Sequence, residues 1–341
     1  TITQTGFTQI FGPVLSPYLT GQAPWQARLK PGRSGATLHF ESDLSGLEMN
    51  LPAPLAKAQG EPLLLAMDSS PAGDGLHVLD VRAGKRVSGK LAFRNALPGW
   101  AFARGRIGIG ETVTSLPVQA GLHLSARLPT LDTDRWWPLL RQNLNDAGTS
   151  GWLDVVSRVS AEIEALESFG RGFGRLGLDI GKTDGNWQGR VRGDAIAGEM
   201  AITHAPSASL PLVVGNVAAP DRPAIHLKLE KLLLPAARSA DETAPLDPRQ
   251  LPPLHVQSRS FLFAGLDLGE LEFSALPATH GWKIASLKLT RPESSLTASG
   301  LWQIDNRAQP TTRLDATLTS TDLGKLMDTL GYREEVVGGK L

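Results

Sequence analysis

The chain has 341 residues, with 36 Gly, 24 Pro and only 20% charged residues, a composition that suits many short strands and tight turns better than a helical bundle. Lys and Arg number 34, as do Asp and Glu, so there is no basic excess to neutralise phosphates along a duplex, which argues against nucleic acid as a partner. The absence of cysteine fits the cytosol and an oxidising cell envelope equally well.

The chain begins at Thr1, with no basic-then-apolar leader and no apolar run near about 18 residues. It is therefore expected to lack a signal peptide and a membrane span, and to be cut from a longer protein. Period-two alternation starts early, with Ala27 and Leu29 after Trp25, then Leu38 and Phe40, then Leu44, Leu47, Met49 and Leu51. Successive side chains of an extended strand point to opposite faces, so such spacing predicts strands with one apolar face. The phase slips at Ser45 and Gly46, as a turn or bulge would require. Further strands are predicted over Leu76–Val81, Val87–Phe93, Trp100–Ile109 and Leu122–Leu128, each bounded by Gly or Pro.

Two helices are expected next. One runs from a cap at Thr133 or Asp134 to Asn145, with Pro138 tolerated in its first turn. The second is expected over 152–168, because Trp152, Val156, Val159, Ile163 and Leu166 recur at helical spacing and Gly170 would stop it. Both are amphipathic and suited to lie across an apolar sheet face. Alternation resumes at Leu176, Leu178 and Ile180 and continues through Trp187–Gly193, Ile196–Ile202 and Ile225–Leu229. Residues 235–253, rich in proline, read as a long exposed loop.

From Leu266 the pattern is nearly continuous. It passes through Phe273, Trp282, Ile284, Leu287, Leu289, Leu296, Trp302 and Leu318, with a second slip at Ala285 and Ser286. A last helix is expected over Asp322–Leu330. The expected organisation is one continuous β segment, residues 1–341, with a first β section over 1–130, a helical insertion over 131–170 and a second β section over 171–341. The fold class is mainly β: a long, curved, mostly antiparallel sheet of about 16 to 20 strands forming an open apolar groove, with a few short amphipathic helices. At about 4.8 Å per strand such a stack would extend roughly 75 to 95 Å.

Chemistry is sparse. His39, His77, His123, His226 and His255 each lie between apolar neighbours, so each is expected on the wet face, and no two have metal-ligand spacing. Gly177-Leu-Asp-Ile-Gly-Lys-Thr183 has one residue too few between its glycines for a phosphate loop and reads as a strand ending in a turn. Gly170-Arg-Gly-Phe-Gly174 reads as a flexible exit from the second helix. There is no Gly-x-Ser-x-Gly elbow, and Glu164 and Glu167 have no partner for acid–base work. No catalytic residue, metal site or cofactor is expected, and the chain is not expected to be an enzyme. Trp25, Trp100, Trp187, Trp282 and Trp302 read as anchors of an apolar sheet face.

Several ordered segments resemble the YhdP-type branch of the AsmA-like envelope proteins. They are Ser42-Asp-Leu-Ser-Gly-Leu47, Leu51-Pro-Ala-Pro-Leu-Ala-Lys57, Asp247-Pro-Arg-Gln-Leu-Pro252, Leu268-Gly-Glu-Leu-Glu-Phe273, Gly281-Trp-Lys-Ile284, Leu287-Lys-Leu-Thr-Arg-Pro292, Leu296-Thr-Ala-Ser-Gly-Leu-Trp302, Thr321-Asp-Leu-Gly-Lys-Leu326 and Leu330-Gly-Tyr332. The resemblance implies a periplasmic protein of Gram-negative bacteria tethered to the inner membrane, in a superfamily of bridge-like lipid carriers that move phospholipid toward the outer membrane. The partners it implies are phospholipid acyl chains, with both membranes reached through other parts of the full-length protein. Physical chemistry agrees: a diacyl lipid with about 32 methylenes at roughly 0.8 kcal/mol each would lose about 25 kcal/mol entering water bare, so it needs an apolar lining. The expected lining includes Leu38, Phe40, Leu122, Leu124, Leu227, Leu229, Phe273, Leu287, Leu289 and Trp302. The competing expectation is an envelope scaffold closed as a β-sandwich, with no conduit. An outer-membrane barrel fits poorly, because 2 Tyr and 10 Phe are too few for aromatic girdles.

Overall fold

The computed structural model describes residues 16–33, 35–96, 99–145, 155–203, 223–237, 247–305, 309–322 and 324–325. Seventeen strands form one long, mostly antiparallel sheet that is not closed, and two short strands pair separately. The chain divides into two compact units, Thr1–Glu164 and Ala165–Leu341.

In the first unit the sheet is built from β2 (Gln26–Lys30), β3 (Thr37–Ser42), β5 (Leu65–Pro71), β6 (Leu76–Ala83), β7 (Val87–Ala96) and β8 (Gly99–Ile109), each antiparallel to the next. Strand β9 (Gly121–Asp132) pairs parallel with β8. A parallel neighbour requires the connection to cross a sheet face, and residues 110–120 cross the polar one. There Ser88 Oγ donates to the Glu111 carbonyl (2.8 Å) and accepts from Val113 N (2.8 Å). The short strands β1 (Leu19–Gly21) and β4 (Leu47–Met49) pair with each other and cover part of the opposite, apolar face. Leu19, Leu44, Leu47 and Leu63 pack there on Phe40, Leu65 and Met67. Lys57 is buried among them, its ammonium donating to the carbonyls of Leu47 (2.5 Å) and Ala58 (3.1 Å).

Helix α1 (Thr133–Asn145) follows β9 and starts where expected. Its cap is Asp132, whose carboxylate accepts from Asp134 N (3.0 Å) and Arg135 N (3.4 Å). Trp136 Nε1 donates to the Ala53 carbonyl (3.0 Å), tying the helix to the segment after β4.

Of the second expected helix, residues 156–168 are not helical, and Trp152 lies outside the described residues. Residues Val156–Ser168 are strand β10, and Phe169 and Gly170 are its turn into β11 (Arg171–Thr183) rather than a helix exit. Val159, Ala161, Ile163 and Ala165 alternate with Arg158, Ser160, Glu162 and Glu164, so the segment fits period two as well as a helical stripe. The β-branched residues and an adjacent strand edge decide for the strand. Ser157 Oγ, reaching the Leu122 carbonyl at 3.5 Å, marks β9 as that neighbour. Strand β5 was not anticipated from sequence at all.

In the second unit β11, β12 (Asn186–Gly193), β13 (Ile196–Thr203) and β14 (Ala224–Leu234) run antiparallel. Strand β15 (Leu254–Phe263) then pairs parallel with β14. Strands β16 (Leu266–Ala278), β17 (Gly281–Thr290), β18 (Ser294–Ile304) and β19 (Pro310–Ser320) return to antiparallel order. Gly177–Thr183 lies in β11 and ends in a turn, as its spacing requires. The slip at Ala285 and Ser286 is a register shift in the β17 ladder, between Ile284 and Leu287. Strands β2 and β19 each ladder on one side only among the described residues. Every residue of β2, and every residue of β19 except Ser320, is exposed, as sheet edges should be.

The described parts of the expected 235–253 loop are not strand, and Pro248–Gln250 form a 3-10 turn. Of the expected last helix, only the first turn is described, where Asp322 Oδ1 accepts from Lys325 N (3.1 Å); its remainder falls outside the described residues.

Candidate functional site

Cross-strand register turns the alternation of each strand into rows of neighbours on one face. In the first unit one such row is Phe40, Met67, Val81, Gly89, Ile107 and Leu124. A parallel row joins Leu38, Ser69, Leu79, Leu91, Gly105 and Leu122. In the second unit a row runs Ile180, Gly189, Met200, Leu227, Val256, Phe273, Leu287, Ala298 and Ala316. Beside it lies the row of Leu178, Val191, Gly198, Leu229, Ser258, Leu271, Leu289, Leu296 and Leu318.

The expected lining residues therefore share a face within their units: Leu38, Phe40, Leu122 and Leu124 in the first, and Leu227, Leu229, Phe273, Leu287, Leu289 and Trp302 in the second. Phe40 and Leu229 are buried, Leu38 is 41% exposed, and the other seven are part-buried. In the second unit Val191, Leu229, Val256, Phe261 and Leu271 form a buried strip. Leu176, Leu227, Phe273, Leu287 and Leu289 pack beside it and keep part of their surface exposed. On β19, Leu314 and Leu318 are exposed on this face.

The second parallel pairing also requires a crossover, and in this unit its described part at 247–253 lies on the apolar face. The turn Pro248–Gln250 packs on β16, β17 and β18 with Pro248 fully buried. Trp282 is 7% exposed, touches the rings of Phe273 (5.6 Å) and Trp302 (6.3 Å), and donates Nε1 to the Pro252 carbonyl (3.0 Å). At the other described end, Arg171 donates to the Pro235 carbonyl and stacks on Phe263 (5.6 Å). The described ends of the connection thus strap a limited length of the face.

The opposite face is charged. One row of the second unit reads Asp179, Arg190, Glu199, Lys228, Gln257, Glu272 and Lys288, so signs alternate from strand to strand on both sides of one neutral Gln. Of the histidines, His39, His123, His226 and His255 lie on the charged faces, as expected. His39 is bonded to Asp68 (2.6 Å) and Glu41 (3.1 Å), and chiefly the Asp68 contact raises its pKa. His226 and His255 stack at 4.9 Å across the β14–β15 seam, and desolvation lowers the pKa of His255. His77 is a correction. It shares the apolar face with Leu79 and Val81 and packs edge-on against Trp100 (5.0 Å), because Leu76 and Val78 are the residues turned to the polar face. Val78 is buried although it is on the polar side. Among the described residues no three His, Asp or Glu side chains converge as a metal site.

A long open sheet with one apolar and one charged face is the architecture of an AsmA-like envelope protein of bacteria. A family model described as YhdP protein matches residues 2–341, and the chain belongs to that family. No curated protein and no solved structure matches it.

Proposed function

We propose that this chain is a segment of a periplasmic bridge-like protein that shields phospholipid acyl chains between the inner and outer membranes of a Gram-negative bacterium. The observation that carries the reading is the pair of long apolar rows in the second unit, which cross nine strands and keep most of their side chains only partly buried. Such a surface presents hydrocarbon to hydrocarbon, and its affinity scales with area rather than with placed polar groups. That matches a ligand defined by its tails. A closed sandwich would bury these residues under a second sheet. In each unit the described cover is local instead: β1 and β4 in the first, the turn Pro248–Gln250 in the second.

The test is to purify the chain from cells, identify co-purifying lipid by mass spectrometry, and place photo-crosslinkers at Phe273 and Leu289, with Glu272 and Lys288 as opposite-face controls. Phospholipid crosslinked at the first pair and not at the second is expected. Absence of bound lipid together with absence of crosslinks at Phe273 and Leu289 defeats the proposal.

A further inference from the structure

The charged face of the first unit breaks the sign alternation seen in the second. Its central row reads Arg28, His39, Asp68, Asp80, Lys90, Arg106 and His123. Asp80 takes Lys90 (2.6 Å) and Asp68 takes His39 (2.6 Å), which uses both carboxylates. Arg106 and His123 follow on adjacent strands, and Arg158 of β10 lies close enough to depress the pKa of His123. Arg104 is two residues before Arg106 on the same face of β8. Like charges at a strand spacing of about 4.8 Å repel, so Arg106 beside Lys90 and beside any proton on His123 carries an electrostatic cost.

A second observation falls on the same place. Among the described residues, the buried side-chain nitrogen and oxygen atoms with no hydrogen-bond partner are Arg104 Nε, Arg106 Nε and His123 Nε2. All three are nitrogens, all are on β8 or β9, and all are on the face crossed by residues 110–120. The carboxylate of that crossover, Glu111, is held by Ser125 Oγ, and Arg104 Nη1 reaches only the Val118 carbonyl, at 3.5 Å. Buried polar nitrogens without a partner are rare in folded proteins, and the two guanidinium donors among them call for an acceptor that His123 can share in its Nε2–H tautomer.

We propose that the polar face of β8–β10 binds a free oxyanion of the phosphate class, with Arg104, Arg106 and His123 as donors and Arg158 adding charge. A tetrahedral oxyanion accepts from several donors at once and neutralises the cluster. The phosphate of a lipid lying on the apolar face is excluded as the source, because the sheet separates the two. Burial, then Arg158 and Arg106, hold the His123 pKa below its ordinary value, and an anion between these groups would reverse the charge contribution.

The test uses the whole chain in low-salt buffer. Melting temperature and the ³¹P linewidth of inorganic phosphate are followed as phosphate is added, against sodium chloride at equal ionic strength. The expected result is a phosphate-specific rise in melting temperature that grows with the logarithm of concentration, with a broadened ³¹P line. Arg106→Gln and Arg104→Gln should each lose both effects. Arg106→Gln, which relieves repulsion, should melt no lower than the parent when phosphate is absent. Equal responses to phosphate and chloride, a phosphate effect that survives Arg106→Gln, or an Arg106→Gln protein that melts well below the parent would each overturn the proposal. So would Arg106-dependent binding to phosphatidylglycerol vesicles with no response to inorganic phosphate, since the site would then take a membrane surface.

Discussion

Trp282 is where the crossover and the apolar face are joined, and its replacement tests whether the strap is held as described. Trp282→Phe keeps the ring contacts with Phe273 and Trp302 but removes the indole N–H, leaving the Pro252 carbonyl without its donor. Such a loss costs about 1 kcal/mol. Trp282→Ala also empties a site that is 7% exposed, for a cost of about 3–5 kcal/mol. Arg249 lies in the strap, so trypsin cleavage there reads its opening. If opening is fast relative to cutting, the rate follows the open population. The two variants should then be cut about fivefold and about 10²–10⁴-fold faster than the parent. Mass spectrometry of the cleavage products at several protease concentrations gives the rates. If Trp282→Ala is cut at Arg249 no faster than the parent, the strap is held elsewhere and the reasoning fails.

Leu229→Ala should cost about 2–5 kcal/mol, and Leu287→Ala, whose side chain keeps part of its exposure, roughly half as much or less, as measured by denaturant unfolding. Equal costs would mean that Leu287 is sealed. Lys57→Ala should destabilise the first unit by about 2 kcal/mol in the same assay, because two carbonyls lose a charged donor, whereas Lys57→Met, which keeps the packing, should cost less. The His39 pKa is raised, so its contribution is complete below the unfolded value of about 6.5 and fades as pH rises through the folded value. An NMR titration should place its midpoint above that of Asp68→Asn. The His255 pKa is lowered, so its contribution is present above about 6.5 and lost as pH falls through the folded value. His255→Gln should flatten the acid limb of the stability profile.

The sheet was legible because period two survives in a single chain read alone. Phe273, Leu287 and Leu289 announce their shared face without reference to any other strand. Strands β1, β5 and β15 escaped, and β10 reads as a helix. In β5 the alternation of Leu65, Met67 and Ser69 is short and ends at Pro71. In β10 the hydrophobic residues suit both periods, and only an edge to pair with separates the two readings. His77 was misplaced because its flanking Leu76 and Val78 look like lining residues, and the burial of Val78 on the far side cannot be seen from sequence. The Arg104, Arg106 and His123 cluster was invisible for a related reason. Its members belong to two strands whose parallel register sets them side by side, and parallel register follows from a crossover rather than from local pattern.

The shift between Ile284 and Leu287 acts as a frame correction. Without it, Trp282 and Ile284 would point one way and Leu287 and Leu289 the other, with Lys288 turned in among hydrocarbon. A surface coded in this way is forgiving of spelling and intolerant of miscounting. Leu, Ile, Val and Phe should interchange along it at little cost, whereas deletion of Arg190 alone should invert half of β12, which ladders without a shift on both sides.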